Sequence, residues 1–421
     1  MTTHRRIAIP LLAAALLAAG CGGATDDGAA PSGSASRAAG SDADTPEGAT
    51  EERRPAARLA YAYEGGVQIL DAATFATLAD FPAKGYLRVN PAGDGRHVFV
   101  SEDDGFTLVD TGAWSVPHGD HQHFYSAQPR KTDVRIDAPE PGHVVPHDGT
   151  TVLWSDGEGT ATSIPTDRIA EADAPRSVYT APKPHHGVAA QRADGSLLVT
   201  IGDEKTRTGV AILDKEHKEI AKNEQCPAVH GEGTAEGGVT VFGCEDGILT
   251  VRGNEITKTA SPTPGYARIG NIAATEAHRV VLGDYKVDKA AEPERPTRVS
   301  LLDTASGQLK LVDLPASYSF RSLARGQFGE ALVLGTDGVL RILDPNTGAV
   351  TREVKVTGPW VEDAEWQVPR PEVYVQGSTA YVTDPATKSI VAIDVPSGNE
   401  VKRGTLEHAP DELTGVPGAK S

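Results

Sequence analysis

Within the six residues His118-Gly119-Asp120-His121-Gln122-His123, three of the chain's thirteen histidines stand beside one carboxylate. Neutral imidazole nitrogens and a carboxylate oxygen are the ligands Zn²⁺ takes at about 2.0–2.2 Å. The stretch shows no helical or strand pattern of its own, so a loop is expected. His121 and His123 would project to one side of the extended chain, with His118 folding back across Gly119. A polar surface loop is the plain alternative, because a His-rich tract is only a compositional hint of metal binding.

The surrounding pattern is period-two nearly throughout. Short apolar runs such as Val98-Phe99-Val100, Leu197-Leu198-Val199-Thr200 and Ala331-Leu332-Val333-Leu334 are bounded by Gly or Asp-Gly, the punctuation of strands. These runs recur in a fixed order: a first strand, a strand ending in Gly or Asp, a strand ending in Asp-x-x-(Thr/Ser)-Gly, then a more polar strand. The unit spanning Ser322–Val354 is the cleanest copy, and Val373–Lys402 repeats it. Further copies begin near Tyr86, His143, His186, Val229 and Ile269. This is the period of four-stranded propeller blades. The expected fold is therefore an all-β propeller over residues 58–416. The N-terminal piece Leu59–Phe81 lacks a first strand, which the C-terminal Asp411–Val416 would supply to close the ring. Eight blades are favoured; seven follow if the irregular copy near His143 is misread. A β-sandwich is the structural alternative, although it needs no such regular repeat.

First strands line the channel of a propeller, and three successive copies carry histidine there: Pro141-Gly142-His143, His185-His186-Gly187 and Val229-His230-Gly231-Glu232. His186 and His230 occupy matching His-Gly positions and are expected to converge. His143 is a weaker candidate, as are His147, in a Pro-His-Asp-Gly turn, and His185, a neighbour of the ligand position. Glu232 is expected to orient His230 as a carboxylate behind the ligand. The His118–His123 loop leaves the preceding blade and is expected to emerge near the same sector and fold over the channel mouth.

The N-terminus has the layout of a secretory signal: His4-Arg5-Arg6, an apolar Ile7–Ala19, then small residues. Leu17-Ala18-Ala19-Gly20-Cys21 looks like a bacterial lipoprotein box, with residues 1–20 removed and Cys21 lipidated. Residues 21–57 lack aromatic and large aliphatic side chains and read as a disordered tether; residues 417–421 read as a disordered tail. The expected location is extracytoplasmic, anchored to the cell membrane by lipid alone. Cys226 and Cys244 remain, and in an exported chain a lone pair is most simply a disulfide; a pair of thiolate metal ligands is the rival. A formal net charge of −18 with no long basic run argues against nucleic acid. There is no Gly-x-Ser-x-Gly elbow, HExxH or GxxxxGK[ST] motif, and no catalytic residues are assigned.

The His-Gly-Asp-His-x-His segment, Pro-Gly-His-Val-Val, Pro-His-His-Gly-Val, Cys-Pro-x-Val-His-Gly-Glu, Val-Phe-Gly-Cys-Glu-Asp-Gly and Val-Leu-Gly-Asp-Tyr-Lys-Val-Asp together resemble the AztD family of zinc metallochaperones. The resemblance covers essentially all of 58–416. It implies a non-catalytic β-propeller outside the cytoplasmic membrane that passes zinc to the solute-binding protein of a zinc ABC importer. It is also what prefers zinc to copper or nickel, which imidazole suits as well. Carried over by position, His118, Asp120, His121 and His123 look like the zinc-capturing segment, and His186 and His230 like channel-side ligands. A Cys226–Cys244 disulfide fits the same family, and a monomer is expected. A propeller enzyme using a His-bound metal, such as a lyase or lactonase, and an envelope interaction scaffold are the alternatives from other classes.

Overall fold

The computed structural model describes residues 48–420. The expected signal segment, Cys21 and most of the expected tether lie outside the described residues. Apart from one short 3-10 turn at Thr166–Arg168, the regular structure described is all strand. It comprises eight four-stranded antiparallel sheets and one smaller sheet.

The first sheet orders Glu412–Val416, Arg58–Tyr63, Gly66–Asp71 and Thr77–Pro82. The second contains Arg88–Pro91, His97–Glu102, Gly105–Asp110 and Arg130–Asp137. The third runs Pro141–His147, Thr150–Ser155, Thr160–Pro165 and Ser177–Thr180, and the fourth Ala189–Gln191, Leu197–Gly202, Arg207–Leu213 and Glu219–Asn223. The fifth comprises His230–Ala235, Val239–Cys244, Gly247–Arg252 and Glu255–Ala260. The sixth to eighth begin at Ile272, Leu323 and Glu372 and follow the same order. The expected pairing of chain ends is present: Arg58 faces Val416 and Ala62 faces Glu412.

Local chemistry explains the regularity. Second and third strands are apolar on both faces, as in Val239–Cys244, where every residue is buried, which is the pattern of strands covered on both sides. Fourth strands are largely exposed, as in Val350–Lys355. The Asp-x-x-(Thr/Ser)-Gly motif closes the turn between them. Asp344 Oδ1 accepts the Thr347 amide at 2.7 Å, and Gly348, at φ +76°, donates its amide to the Asp344 carbonyl at 2.8 Å. Asp303 and Asp394 repeat the arrangement with Gly307 and Gly398; only glycine takes this left-handed conformation without cost.

Eight apolar clusters lie between successive sheets. One packs Leu59, Tyr61 and Leu70 of the first sheet on Tyr381, Ile390 and Ala392 of the eighth. Another packs Ala60, Val67 and Ile69 on Val89, Val98, Val100 and Val109 of the second. Trp154 and Ala161 of the third meet Leu197 and Val199 of the fourth, and Leu198, Val210 and Ile212 of the fourth meet Phe242 and Leu249 of the fifth.

Three expectations about irregular segments change. The His118–His123 segment is not a loop but the tip of a β-hairpin, Ala113–His118 paired with His121–Ser126, inserted between the third and fourth strands of the second sheet. Thr50–Glu52, inside the span expected to be a disordered tether, pairs with this hairpin as a third strand. Residues 417–420 are also docked: the Gly418 amide donates to Gly95 O and the Lys420 amide to Ser115 Oγ.

Because Leu413 is buried in the strand that joins the two chain ends, Leu413→Ala is expected to cost about 2–5 kcal/mol. Urea denaturation checks it; a change under about 0.5 kcal/mol would show that this pairing contributes little.

Candidate metal centres

The hairpin brings three imidazoles to one face. His118 pairs directly with His121, and His123 lies two residues further along the same strand, so all three share one side of the ribbon. Gly119, at φ +63°, makes the tight two-residue turn. Tyr125 stacks on Trp114 at 5.6 Å, and Arg96 lies over the Trp114 ring at 4.2 Å, which ties the ribbon to the second sheet. His118 Nδ1 and His121 Nε2 each lie 3.2 Å from His123 Nε2. Two nitrogens on one tetrahedral Zn²⁺ stand about 3.3–3.4 Å apart, so this geometry fits a shared ion. His123 Nδ1 lies 2.6 Å from Glu51 Oε1, a carboxylate behind a ligand histidine that fixes its tautomer. Asp120 is outside the triad; its carboxylate lies 3.2 Å from His121 Nδ1.

A second triad forms where the leading strands of the third, fourth and fifth sheets begin. His143 sits at a register shift between Pro141 and Val144, and His230 precedes a bulge at Gly231, at φ +70°. Bulges of this kind re-aim a side chain. His186 lies in the turn ahead of Ala189–Gln191, where Gly187 packs so close to the Trp154 indole that a Cβ would meet it at 2.5 Å. His186 Nε2 and His230 Nε2 are 3.1 Å apart, and the His143 ring lies 5.4 Å from His186 and 5.9 Å from His230. One nitrogen from each of the three can meet a single ion.

The far nitrogens are oriented. Asp156 Oδ2 lies 2.6 Å from His186 Nδ1, and His230 Nδ1 donates to Gly270 O at 2.6 Å. Glu232 does not reach behind His230 as expected; its carboxylate is 3.8 Å from His143 Nδ1. Burial pulls His230 down to about 3 and His143 well below the usual histidine range, with neighbouring histidines and arginines acting in the same direction. Both are therefore neutral, ligand-ready imidazoles at pH 7. Burial also pushes Glu232 up to about 7.

The Cys226–Cys244 disulfide braces this corner. The Cys226 amide donates to Thr208 O in the fourth sheet, and Cys244 O accepts from the Ile269 amide ahead of the sixth. The segment leading into His230 is thereby fixed between neighbouring sheets.

The two triads lie at opposite ends of the sheets. The hairpin leaves after Asp110, which pairs with His97 beside the turn joining the first two strands of its sheet. That turn abuts its counterpart in the third sheet, where Thr151 Oγ1 donates to Ala92 O. His143 stands at the far end of the same third sheet, near Ser155. The hairpin therefore does not fold over the three channel-side histidines. His147 is at the hairpin end too, about 13 Å of extended chain from His143; it is buried between Asp148 and Glu276. His185 is buried, with Nδ1 at 3.0 Å from Lys183 O and Nε2 at 3.2 Å from Thr200 Oγ1, so neither nitrogen is free for a metal. A third group, Asp80, Glu407 and His408, is held by Tyr63, Gln68 and Thr77, with the Tyr63 ring stacked on His408.

The channel-side triad opens on a cavity of about 560 Å³. Its lining draws on the leading segments of the sheets in turn, including Arg88, His143, His186, His230, Ile272, Phe320, Trp366 and Glu412. Fold and sites define an all-β protein of propeller-like sheets carrying two separate three-histidine groups.

No protein-family model matches the chain. It is 25% identical over 362 residues to the zinc chaperone AztD of Citrobacter koseri, covering 84% of each. The crystal structure of C. koseri AztD superposes with a TM-score of 0.75 at 25% identity, covering 86% of this chain and 98% of that one. Apo AztD from the same organism gives 0.73 at 24% identity, with the same coverage. The resemblance to AztD read from the motifs is borne out. Dihydro-heme d1 dehydrogenase NirN shares the fold only, with a TM-score of 0.55 at 12% identity, over 87% of this chain and 79% of that one.

Two measurements test this geometry. In the metal-free protein, His143 and His230 bind protons less readily when folded than when unfolded, so they lower stability as pH falls below about 6.5. His230→Gln should therefore flatten the fall in urea stability between pH 6.5 and 4, and an unchanged slope would contradict the depressed value. Cys226→Ser/Cys244→Ser, which opens an 18-residue separation, should cost about 3 kcal/mol. It should also weaken zinc binding at His230 without touching the hairpin triad.

Proposed function

We propose that this chain is a zinc metallochaperone, not an enzyme, that carries Zn²⁺ as cargo and hands it to the solute-binding protein of a zinc ABC importer. The observation that carries the reading is the pair of triads, each with nitrogens 3.1–3.2 Å apart and a carboxylate or carbonyl oxygen 2.6 Å behind a ligand histidine. The similarity to a protein named zinc chaperone supports it. Histidine nitrogen suits zinc, and three protein ligands leave a fourth position through which an incoming group can join. His118, His121 and His123 would hold one ion on the exposed ribbon; His143, His186 and His230 would hold another in the cavity.

Within the same reading, the eight sheets close into an eight-bladed ring. Support comes from the eight inter-sheet clusters, the last of which joins the eighth sheet to the first, and from the cavity lined by successive leading segments. Cys21 is the proposed lipid attachment point. A shared membrane surface would then raise the effective concentration of an anchored acceptor.

Protein purified without an affinity tag should hold about two zinc ions after loading and desalting. His118→Ala/His121→Ala/His123→Ala and His143→Ala/His186→Ala/His230→Ala should each retain about one. Binding below about half an equivalent in the wild type would end the zinc reading. Transfer to the solute-binding protein should outpace release to a chelator; equal rates would make the protein a store rather than a chaperone.

A further inference from the structure

The cavity beside His143, His186 and His230 is far larger than one metal ion requires, and two arginines beside it make no ion pair. Arg88 is matched by Glu412 at 3.1 Å, and Lys286 faces Asp284 at 3.8 Å. Arg207 and Arg268 are different. Both are half-buried, and among the described residues neither guanidinium has a carboxylate within ion-pair distance. The one hydrogen bond from the Arg268 side chain goes to a backbone carbonyl, Ala228 O, at 3.2 Å.

Both arginines flank the turn that delivers His230. The Ala228 amide donates to Arg207 O at 2.8 Å, so one turn holds the two residues on either side. The Arg268 guanidinium lies over Gly270, whose carbonyl accepts from His230 Nδ1, and Arg268 itself lines the cavity. Burial and then the charge of Arg268 lower the proton affinity of Arg207, against a smaller opposing pull from Asp156, as expected for two cations held near one another.

Adding zinc creates a charge imbalance. Three neutral imidazoles bring no negative charge to the ion. Asp156 and Glu232, the carboxylates behind the triad, can offset one zinc ion and no more. Two positive charges, on Arg268 at the cavity wall and on Arg207 across the His230 turn, then have no matching anion, which is costly for partly desolvated groups unless an anion joins them. The zinc also lacks its fourth ligand. One group satisfies both demands: a carboxylate with one oxygen on the metal and the other on the guanidinium fork.

We propose that Arg207 and Arg268 form an anion subsite beside the three-histidine group and that it takes a carboxylate as the fourth ligand of the zinc ion. The inference rests on the zinc-carrier reading. The carboxylate comes either from a small organic acid or from an acidic side chain of the acceptor protein. In the second case the acceptor joins the ion before the histidines release it, and no bare ion is formed.

The test uses the full chain carrying His118→Ala/His121→Ala/His123→Ala, loaded with Co²⁺ and titrated with acetate. The visible cobalt bands should change saturably, and Arg207→Gln/Arg268→Gln should weaken the acetate response about tenfold or more while cobalt stoichiometry holds. Arg207→Gln alone, which removes no side-chain hydrogen bond or ion pair within the described residues, should give part of the effect. Unchanged bands with cobalt bound, or equal acetate affinity in the double variant, would overturn the subsite. If cobalt fails to load, the zinc reading fails by itself. Calorimetric titration of the metal-free protein with succinate then decides the subsite: arginine-dependent binding supports it and no binding overturns it. Transfer kinetics separate the sources. Competitive slowing by acetate, with slowed transfer in the double variant, points to the acceptor's side chain. Acetate that tightens zinc retention without competing points to a small acid. Transfer and retention both indifferent to the two arginines would refute the proposal.

Discussion

The pairing of Glu412–Val416 with Arg58–Tyr63 constrains everything between them. Two segments more than three hundred residues apart complete one sheet. The same strand delivers charge to the interior. Arg321, almost fully buried, meets Asp411 at 2.6 Å and Glu412 at 3.2 Å, and Glu412 also meets Arg88. Glu372, beside them, is pushed up to about 8 by its burial. Buried ions of this kind are tolerable only in company, and here the company is assembled from the first, second, seventh and eighth sheets. Strand pairing at the chain ends and charge pairing in the middle therefore depend on each other.

The repeat was legible because its signals are local. An Asp-x-x-(Thr/Ser)-Gly turn carries its own hydrogen bonds, so the third-to-fourth strand junctions could be read wherever the motif stands. The matching His-Gly positions of His186 and His230 were legible for the same reason, since equivalent positions in adjacent sheets point toward one another. The companions of these residues were not legible. Asp156 reaches His186 from the turn of a different sheet, in an Asp-Gly sequence like several others in the chain. Glu51 reaches His123 across seventy-two positions, from a segment whose composition suggests no structure. Arg207 and Arg268 carry no motif at all.

The histidine-rich segment does not read as a pair of strands because its pairing is unusual. Gly, Pro and charged residues dilute the period-two signal, and the ribbon is an insertion that breaks the repeat. Its placement was misjudged for a topological reason. Sequence adjacency to His143 suggested spatial adjacency, but an insertion after a third strand emerges at the opposite end from the start of the next first strand. The two triads differ in character as a result. One is recessed and its rings are braced by a disulfide, two bulges and a packed glycine. The other stands on an exposed three-stranded ribbon, where Glu51 holds His123.

Opposite placement has a kinetic meaning. A partner covering the hairpin leaves the cavity mouth uncovered, and the reverse also holds. Under the proposed carrier role, a donor and a recipient would be able to occupy the molecule together, in a three-body complex, rather than taking turns at a common door. The two ends then have separate saturation behaviour, and crowding one with excess partner leaves traffic through the other undisturbed. A carrier with a single opening has to unload before it can be refilled; a molecule with two independent faces is free of that alternation.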